Sequence, residues 1–293
     1  MEPDLPSIDP YEFDTNPARI QEAISRLSVC SRPPGTEKGL SVIILNLNKP
    51  ELIIPLIENL LIQKQQFTSR DLLFDIIIGD TGSTNSDVLH FYEKVSSQVL
   101  IIPDLKYHFS KNNNLLAFEH ARCESLLFLN NDVVFPAGQT PLFSMYEKLL
   151  TSPGLGCLGL VMLFPDHTVQ HLGVAFSKGP EMRGFCYHPR SHEKINLSKI
   201  QPFSEVPAVT GAALMIRSQL YWAARGMDER YHQECQDIAL CLTVHRLGYY
   251  SQVANQGETI HLENGTRNRG EENKMDRARF MRKWKSYIEA YFL

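Results

Sequence analysis

The sequence predicts an α/β fold: a central, mostly parallel sheet that becomes mixed toward its C-terminal half, flanked by helices. Two patterns point to it. In the first half, LSVIILN from Leu40, FDIIIGD ending at Asp80, VLII at 99–102 and SLLFLNND ending at Asp132 alternate with helical stretches. Strands buried on both faces by crossover helices read as such unbroken apolar runs. In the second half GLVMLFPDHTVQHLGVAF has the pattern of a hairpin around Pro165-Asp166, and VPAVTGAALMI reads as one further strand, which makes the sheet mixed.

Residues 1–38 form an N-terminal appendage, Pro-punctuated at its start, with a helix expected around Pro17 to Leu27 and a loop SRPPGTEKG before the first strong strand. The main domain spans 39–270. After LSVIILN, Pro50 sits where a helix begins, and ELIIPLIENLLIQ continues it. The stretch near Asn113 to Arg122 predicts a helix, and 177–204 is a polar loop. Asp237 opens the helix DIALCLTVHRL, which Gly248 stops just past its end. The final segment, 271–293, is a basic-aromatic helix in which Arg277, Arg279, Arg282, Lys283 and Lys285 interleave with Phe280, Met281, Trp284, Tyr287, Tyr291 and Phe292. Such a helix either lies on an anionic membrane surface or packs its aromatics on the domain with its cations in water.

Composition narrows the partners. With 293 residues, 43% of them hydrophobic, the chain has ample core. A net charge of −4 argues against a nucleic-acid partner, because proteins that neutralise many phosphates carry a basic face. The longest apolar candidate, Leu52 to Leu61, is broken by Glu58 and Asn59 and falls short of the roughly 18 residues of a membrane span. The acidic, Pro-rich start lacks the features of a secretory signal, so the expected location is the cytoplasm, extending to the inner membrane face only if the C-terminal helix lies on the bilayer. Six scattered cysteines without a CxxC pair are expected to be free, mostly buried thiols.

Ligands of open parallel sheets bind beyond the carboxyl ends of the strands. Three apolar runs end in polar clusters: Asn46-Leu47-Asn48, Asp80-Thr81-Gly82-Ser83-Thr84 and Asn130-Asn131-Asp132. Asp80 and Asn48 alone could start turns or cap helices; three such ends together point to a site. No GxGxxG follows the first strand and GxxxxGK[ST] is absent, so a nucleotide must be held another way. A strand-end carboxylate can accept from a nucleoside, and a second can hold Mg²⁺ or Mn²⁺ beside a diphosphate; Asp80 and Asp132 suit these roles. The spacing of His167, His171, His188 and His192 matches no zinc signature, which leaves them surface or packing roles. The sequons at Asn196 and Asn264 are chance matches.

SVIILNLNKPEL, DIIIGDTGSTN, FSKNNN followed by LLFLNNDVVF, then MLFPDHTVQHLGV, AVTGAALMIR, GMDERY, QDIALCLTVHRLGY and IHLENGTR resemble, in order from about Leu40 to Gly270, the family 2 inverting glycosyltransferases of the GT-A fold, in the bacterial branch of surface-polysaccharide assembly. The resemblance implies the GT-A nucleotide-diphospho-sugar transferase fold. It places Asn46, Asn48 and Asp80 in the nucleotide pocket with Lys111 and Asn113 nearby. Asn130-Asn131-Asp132 falls at the family's DxD site, leaving Asp132 as the metal carboxylate and Asn131 beside it. His261 falls where a histidine serves the metal or diphosphate, Gly211 borders the sugar pocket, and Asp237 matches the general base. Two departures stand out: Gln236 precedes the base, and Ala239 follows it where a second aspartate is usual, with Glu234 a possible substitute.

The resemblance therefore implies transfer of a sugar from a nucleotide diphosphate sugar, UDP-hexose first and dTDP-rhamnose second, to a saccharide, lipid-linked or protein-linked glycan acceptor. The cofactor is Mn²⁺ or Mg²⁺. Without the resemblance, Asp237 at a helix start reads first as a cap. The rival functions are a non-catalytic nucleotide-sugar or glycan-binding subunit and a sugar nucleotidyltransferase; the latter would want a Gly- and base-rich loop after the first strand, where NLNKPEL offers one Lys.

Overall fold

The computed structural model describes Tyr11 and residues 16–25, 33–263 and 274–293. After helix α1 (Pro17–Ser25) the first half runs β1 (Glu37–Asn46), α2 (Pro50–Thr68), β2 (Leu73–Asp80), α3 (Ser86–Val95), β3 (Leu100–Ile102), α4 (Phe109–His120) and β4 (Cys123–Asn130). The second half runs β5 (Val133–Val134), α5 (Pro141–Thr151), β6 (Leu155–Leu160), β7 (Met162–Leu163), β8 (Val169–His171), β9 (Ala175–Phe176), β10 (Cys186–Tyr187), β11 (Phe203–Val206), β12 (Ala213–Arg217), α6 (Ser218–Ala223), α7 (Gln236–Arg246), β13 (Tyr250–Ala254), β14 (Ile260–His261) and α8 (Lys274–Tyr291).

The main sheet has eight strands in the order β11-β13-β6-β12-β4-β1-β2-β3. β1 pairs in parallel with β2 and β4, and β2 with β3; β12 runs antiparallel between β4 and β6, and β11 antiparallel to β13. The sheet is therefore mixed, as the sequence predicts. Alternate residues of β1 enter different cores: Val42 and Ile44 pack with Ile53 and Phe67 of α2, and Ile43 with Leu116 of α4 and Leu220 of α6. All of these side chains are buried except for a trace of Leu220. Burial on both faces is the reason the runs carry no polar alternation.

Local chemistry sets the element ends. Pro50 opens α2, where its missing N–H costs nothing. Asn85 caps α3 by accepting from the backbone N–H of Asp87 and Val88. α4 begins at Phe109, four residues before the predicted start, because the His108 ring accepts from the Lys111 N–H and the KNNN run is helical. VPAVTGAALMI is two segments rather than one strand: Pro207 cannot donate to a ladder, so β11 stops at Val206 and β12 resumes at Ala213 three strands away. The Pro165-Asp166 hairpin forms between β7 and β8, and within the polar loop 177–204 β10 pairs with β9.

In α8, Phe280, Trp284 and Ile288 recur at helical spacing and are buried against the α4/α7 side of the sheet. Its aromatic face is thus occupied by the protein's own core, while Arg277 pairs with Glu234 and Lys283 with Asp228. Among the described residues no helix is long and apolar enough to cross a membrane. The described cysteines are free; Cys123, Cys157, Cys235 and Cys241 are buried and Cys186 is half-buried, as expected. Cys30 and the Asn264 sequon lie outside the described residues.

Candidate active site at the carboxyl ends of the strands

Parallel register sets three polar strand ends side by side: Asn46 of β1 stands opposite Asp80 of β2, and Leu45 opposite Asn130 of β4. One hydrogen-bonded network joins them. Asn131 Nδ2 donates to Asn46 Oδ1 at 2.8 Å, Asn46 Nδ2 to the Tyr92 hydroxyl at 2.8 Å, and that hydroxyl to Asp80 Oδ2 at 2.9 Å. Burial, then the neighbouring Asp80 charge, hold the Tyr92 phenol well above its ordinary pKa, so it stays a donor. Asp80 also accepts from the N–H groups of Gly82 and Ser83 and from the Ser83 hydroxyl. A carboxylate has about four acceptor positions; those of Asp80 are spent on Tyr92 and on Gly82 and Ser83 of the 81–85 loop.

Asn48 joins the same loop, accepting at Oδ1 from the N–H of Thr84 and Asn85 at 2.8 and 2.9 Å. It and Lys49 both adopt left-handed backbone, a strained pairing for side-chain-bearing residues, fixed here by the cross-loop bonds. Of the α4 residues, Lys111 is exposed on the first turn, whereas Asn113 is buried with its amide bonded to the Phe109 carbonyl. Its neighbour Asn112 is also buried, and its Nδ2 has no hydrogen-bond partner among the described residues.

The second sheet, β5-β14-β7-β8, brings His261 to the strand end. β14 pairs antiparallel with β5, and the Leu262 N–H donates to the Asp132 carbonyl. His261 Nε2 lies 3.0 Å from Asp132 Oδ1 and 3.3 Å from Asn130 Nδ2, and its Nδ1 lies 2.7 Å from Gln170 Oε1 on β8. Among the described residues no three His, Cys, Asp or Glu side chains converge as a metal cage. An adjacent carboxylate and imidazole nonetheless fit a divalent cation such as Mn²⁺ whose other positions are filled by phosphate oxygens and water.

Asp237 sits in the first turn of α7, two residues past the cap position, which Cys235 occupies in a left-handed conformation. Its Oδ2 accepts the Gly211 N–H at 2.7 Å and its Oδ1 the Ile238 N–H at 2.8 Å. Reaching across to Gly211 separates it from an ordinary cap. The next residue links the two halves of the site: the Ala212 carbonyl accepts from the Asn130 N–H, and Asn130 in turn reaches His261. The loop before α7 is tied down by Asp276, fully buried, whose Oδ2 accepts the N–H groups of His232, Gln233 and Glu234. Glu234 pairs with Arg277 at 2.6 Å, which commits the residue expected to stand in for a second aspartate.

Sequence reasoning missed a histidine relay here. The Thr210 N–H donates to His171 Nε2 at 3.3 Å, which makes Nδ1 the protonated nitrogen, facing His188 Nδ1 at 3.0 Å. Burial chiefly holds both histidines below their usual pKa, with the Asp237 charge opposing it at His188. His171 is therefore a buried structural link beside the Asp237 cradle. His188 extends the relay onto the polar loop. No spacing rule finds this pair, 17 residues apart across a loop.

Among solved structures, a Pyrobaculum calidifontis mannosyltransferase in complex with GDP-Man and Mn²⁺ is 15% identical with a TM-score of 0.54, covering 93% of this chain and 70% of that one. GalNAc-T7 with UDP, GalNAc and Mn²⁺ superposes with a TM-score of 0.61 at 11% identity, over 87% of this chain and 50% of that one. Staphylococcus aureus TarS 1-349 gives 0.51 at 15% identity, over 76% and 60%. The chain therefore has the GT-A glycosyltransferase fold. In sequence it is 30% identical over 266 residues to the O-antigen biosynthesis protein RfbC of Myxococcus xanthus, and 28% identical over 229 residues to the uncharacterized protein y4gI of Sinorhizobium fredii. These alignments take in 86% and 73% of this chain but 19% and 24% of those proteins, so the chain matches about a fifth to a quarter of its curated relatives' length. No protein-family model matches.

Proposed function

We propose that the chain is an inverting glycosyltransferase that moves a sugar from a nucleotide diphosphate sugar to a glycan acceptor, with Mn²⁺ or Mg²⁺ as cofactor. The observation that carries this reading is the linkage, at one end of the sheet, of a carboxylate–imidazole pair (Asp132, His261) to a separate carboxylate (Asp237) through Gly211, Ala212 and Asn130. Inverting transfer needs two such functions apart: one to neutralise a departing diphosphate, one to receive a proton from the attacking hydroxyl. The fold and the RfbC alignment support the same class.

On this reading Asp132 and His261 hold the divalent cation, which supplies electrostatic stabilisation of the leaving diphosphate. Asp80 and Asn48 shape the nucleoside pocket through the 81–85 loop, with Asn46 and Asn131 at its floor, Lys111 at its edge and Asn113 nearby. Gly211 borders the sugar, and Asp237 takes the acceptor proton. An aspartate is ionised at neutral pH without tuning, so its role depends on reach. UDP-hexose is the first donor to test and dTDP-rhamnose the second; the acceptor class is a saccharide or a lipid- or protein-linked glycan. We place the catalytic domain at 39–270, with α8 packed on it, and assign the protein to the cytoplasm.

The test is a thermal-shift panel of UDP, dTDP, GDP and CMP and their sugars with and without Mn²⁺, followed by transfer assays. A ligand at about 100 times its Kd adds roughly 2.7 kcal/mol and raises the melting temperature by several degrees. Asp237→Asn is expected to lower transfer by about 10²–10⁴-fold with donor binding retained, whereas Asp132→Ala weakens donor binding. Equal loss of donor affinity in the two variants would contradict the base; no Mn²⁺-dependent shift with any nucleotide would favour a binding subunit.

A further inference from the structure

We propose that Gln170 is a positioning residue that fixes which nitrogen of His261 faces Asp132, and thereby makes the pair competent to bind the divalent cation. The inference rests on the reading of Asp132 and His261 as that cation's ligands. Gln170, on β8, is buried, and its amide grips His261 at two points: Nε2 lies 3.1 Å from the His261 carbonyl oxygen and Oε1 2.7 Å from the ring Nδ1.

A carbonyl can only accept, so the amide edge facing it must be the NH₂ group. The other edge is then the oxygen, which can only accept, and His261 Nδ1 must carry a proton. The remaining nitrogen, Nε2, points at Asp132 Oδ1, 3.0 Å away, with Asn130 Nδ2 at 3.3 Å. With Nδ1 protonated, Nε2 presents Asp132 with either a second proton or a lone pair. A lone pair beside a carboxylate oxygen is a two-atom donor set for a cation in the place of that proton. Ligand histidines are typically held in this way through their second nitrogen, and loss of the outer partner costs about 10–100-fold in metal affinity. Neighbouring His171 faces the other way, toward Thr210, so β8 alternation separates the two roles.

The test compares Gln170→Met, which keeps the volume but removes the acceptor, with Gln170→Glu, which restores an acceptor to Nδ1. In metal-free protein, ¹⁵N-histidine NMR reads the His261 tautomer; Mn²⁺ alone, titrated against each protein and followed by the free-ion EPR signal, reads affinity. We expect Nδ1–H in wild type and Gln170→Glu, a mixed tautomer in Gln170→Met, and Mn²⁺ affinity reduced about 10–100-fold in Gln170→Met but retained in Gln170→Glu. Should Gln170→Met not fold, Gln170→Asn, one methylene too short to reach both groups, carries the same comparison. Wild-type affinity in the folded Met or Asn variant, or an Nε2–H tautomer in wild type, overturns the inference. An Nδ1–H wild type that takes up no Mn²⁺ instead overturns the metal reading of the pair, and the role of Gln170 in it falls too.

Discussion

A single hydrogen at position 211 sets how closely the Asp237 carboxylate approaches the backbone it leans on. A Cβ on Gly211 would lie 3.3 Å from Asp237 Cβ, 3.5 Å from its Oδ2 and 3.5 Å from the Phe109 ring. Only the first is tighter than ordinary contact, and because that Cβ is fixed to its own backbone, Asp237 would move as a whole by a few tenths of an ångström while the fold survives. Catalytic placement is less forgiving, since about 1 Å of misplacement can cost 10²-fold. Gly211→Ala is accordingly expected to lower kcat about tenfold or more while moving the melting temperature by only a few degrees; steady-state kinetics beside a thermal melt check this. An unchanged kcat would show that Asp237 tolerates displacement and weaken its assignment as the base. Asp80 and Asp132 were legible as candidates because strand ends concentrate polar residues after apolar runs, whereas Asp237, in the first turn of a helix, was marked only by the family resemblance. The amide partners were not legible: Asn112 and Asn113 are indistinguishable in KNNN, and helix rotation alone decides that Asn113 bonds to Phe109 while Asn112 Nδ2 has no partner among the described residues.

At the scale of elements, α8 holds the loop leading to Asp237 in place. Asp276 gathers three consecutive N–H groups of the loop that leads into α7, Arg279 pairs with Asp276, and Phe280, Trp284 and Ile288 fill the core below. Trp284→Ala is expected to cost about 3–5 kcal/mol, measured as a lower urea midpoint at unchanged slope. A cost below about 1 kcal/mol would mean that α8 is dispensable to the fold. Elements with strong periodicity or punctuation (β1, α2, β2, α7, α8) were readable, because Pro50, Gly248 and unbroken apolar runs carry their own physical signal. β6, LGCLGL, escaped because its glycines serve tertiary packing: a Cβ on Gly156 would lie 2.3 Å from Val244 of α7, and one on Gly159 2.7 Å from Val209. The meeting of Gln170 with His261 spans 91 residues and two small strands, so only the assembled second sheet reveals it.

Across the whole molecule, burial of histidine makes acid the weak side of the fold. His108, His171, His188 and His245 are each held below the usual pKa, first by burial. Around His171 the charges of His188 and His261 act in the same direction; at His245 Glu205 opposes it. A histidine whose native pKa is depressed binds fewer protons folded than unfolded. Its contribution to stability is complete above about pH 6.5 and is lost as pH falls below that value toward the depressed native one. Asp166 and Asp228, whose carboxyls are held low by Thr168 and, against burial, by Arg230 and Lys283, act only below about pH 4 and so leave the upper window to the histidines. Melting temperatures measured from pH 7.5 to 5 should therefore fall monotonically, by about 2–4 °C for each kcal/mol lost. His171→Asn, which removes the most deeply buried titrating ring, should flatten that slope while lowering stability at pH 7.5. A wild-type melting temperature constant across the window would show that these rings take up protons as freely in the native state as in the unfolded chain, and would place the acid limit of the fold with its carboxylates instead.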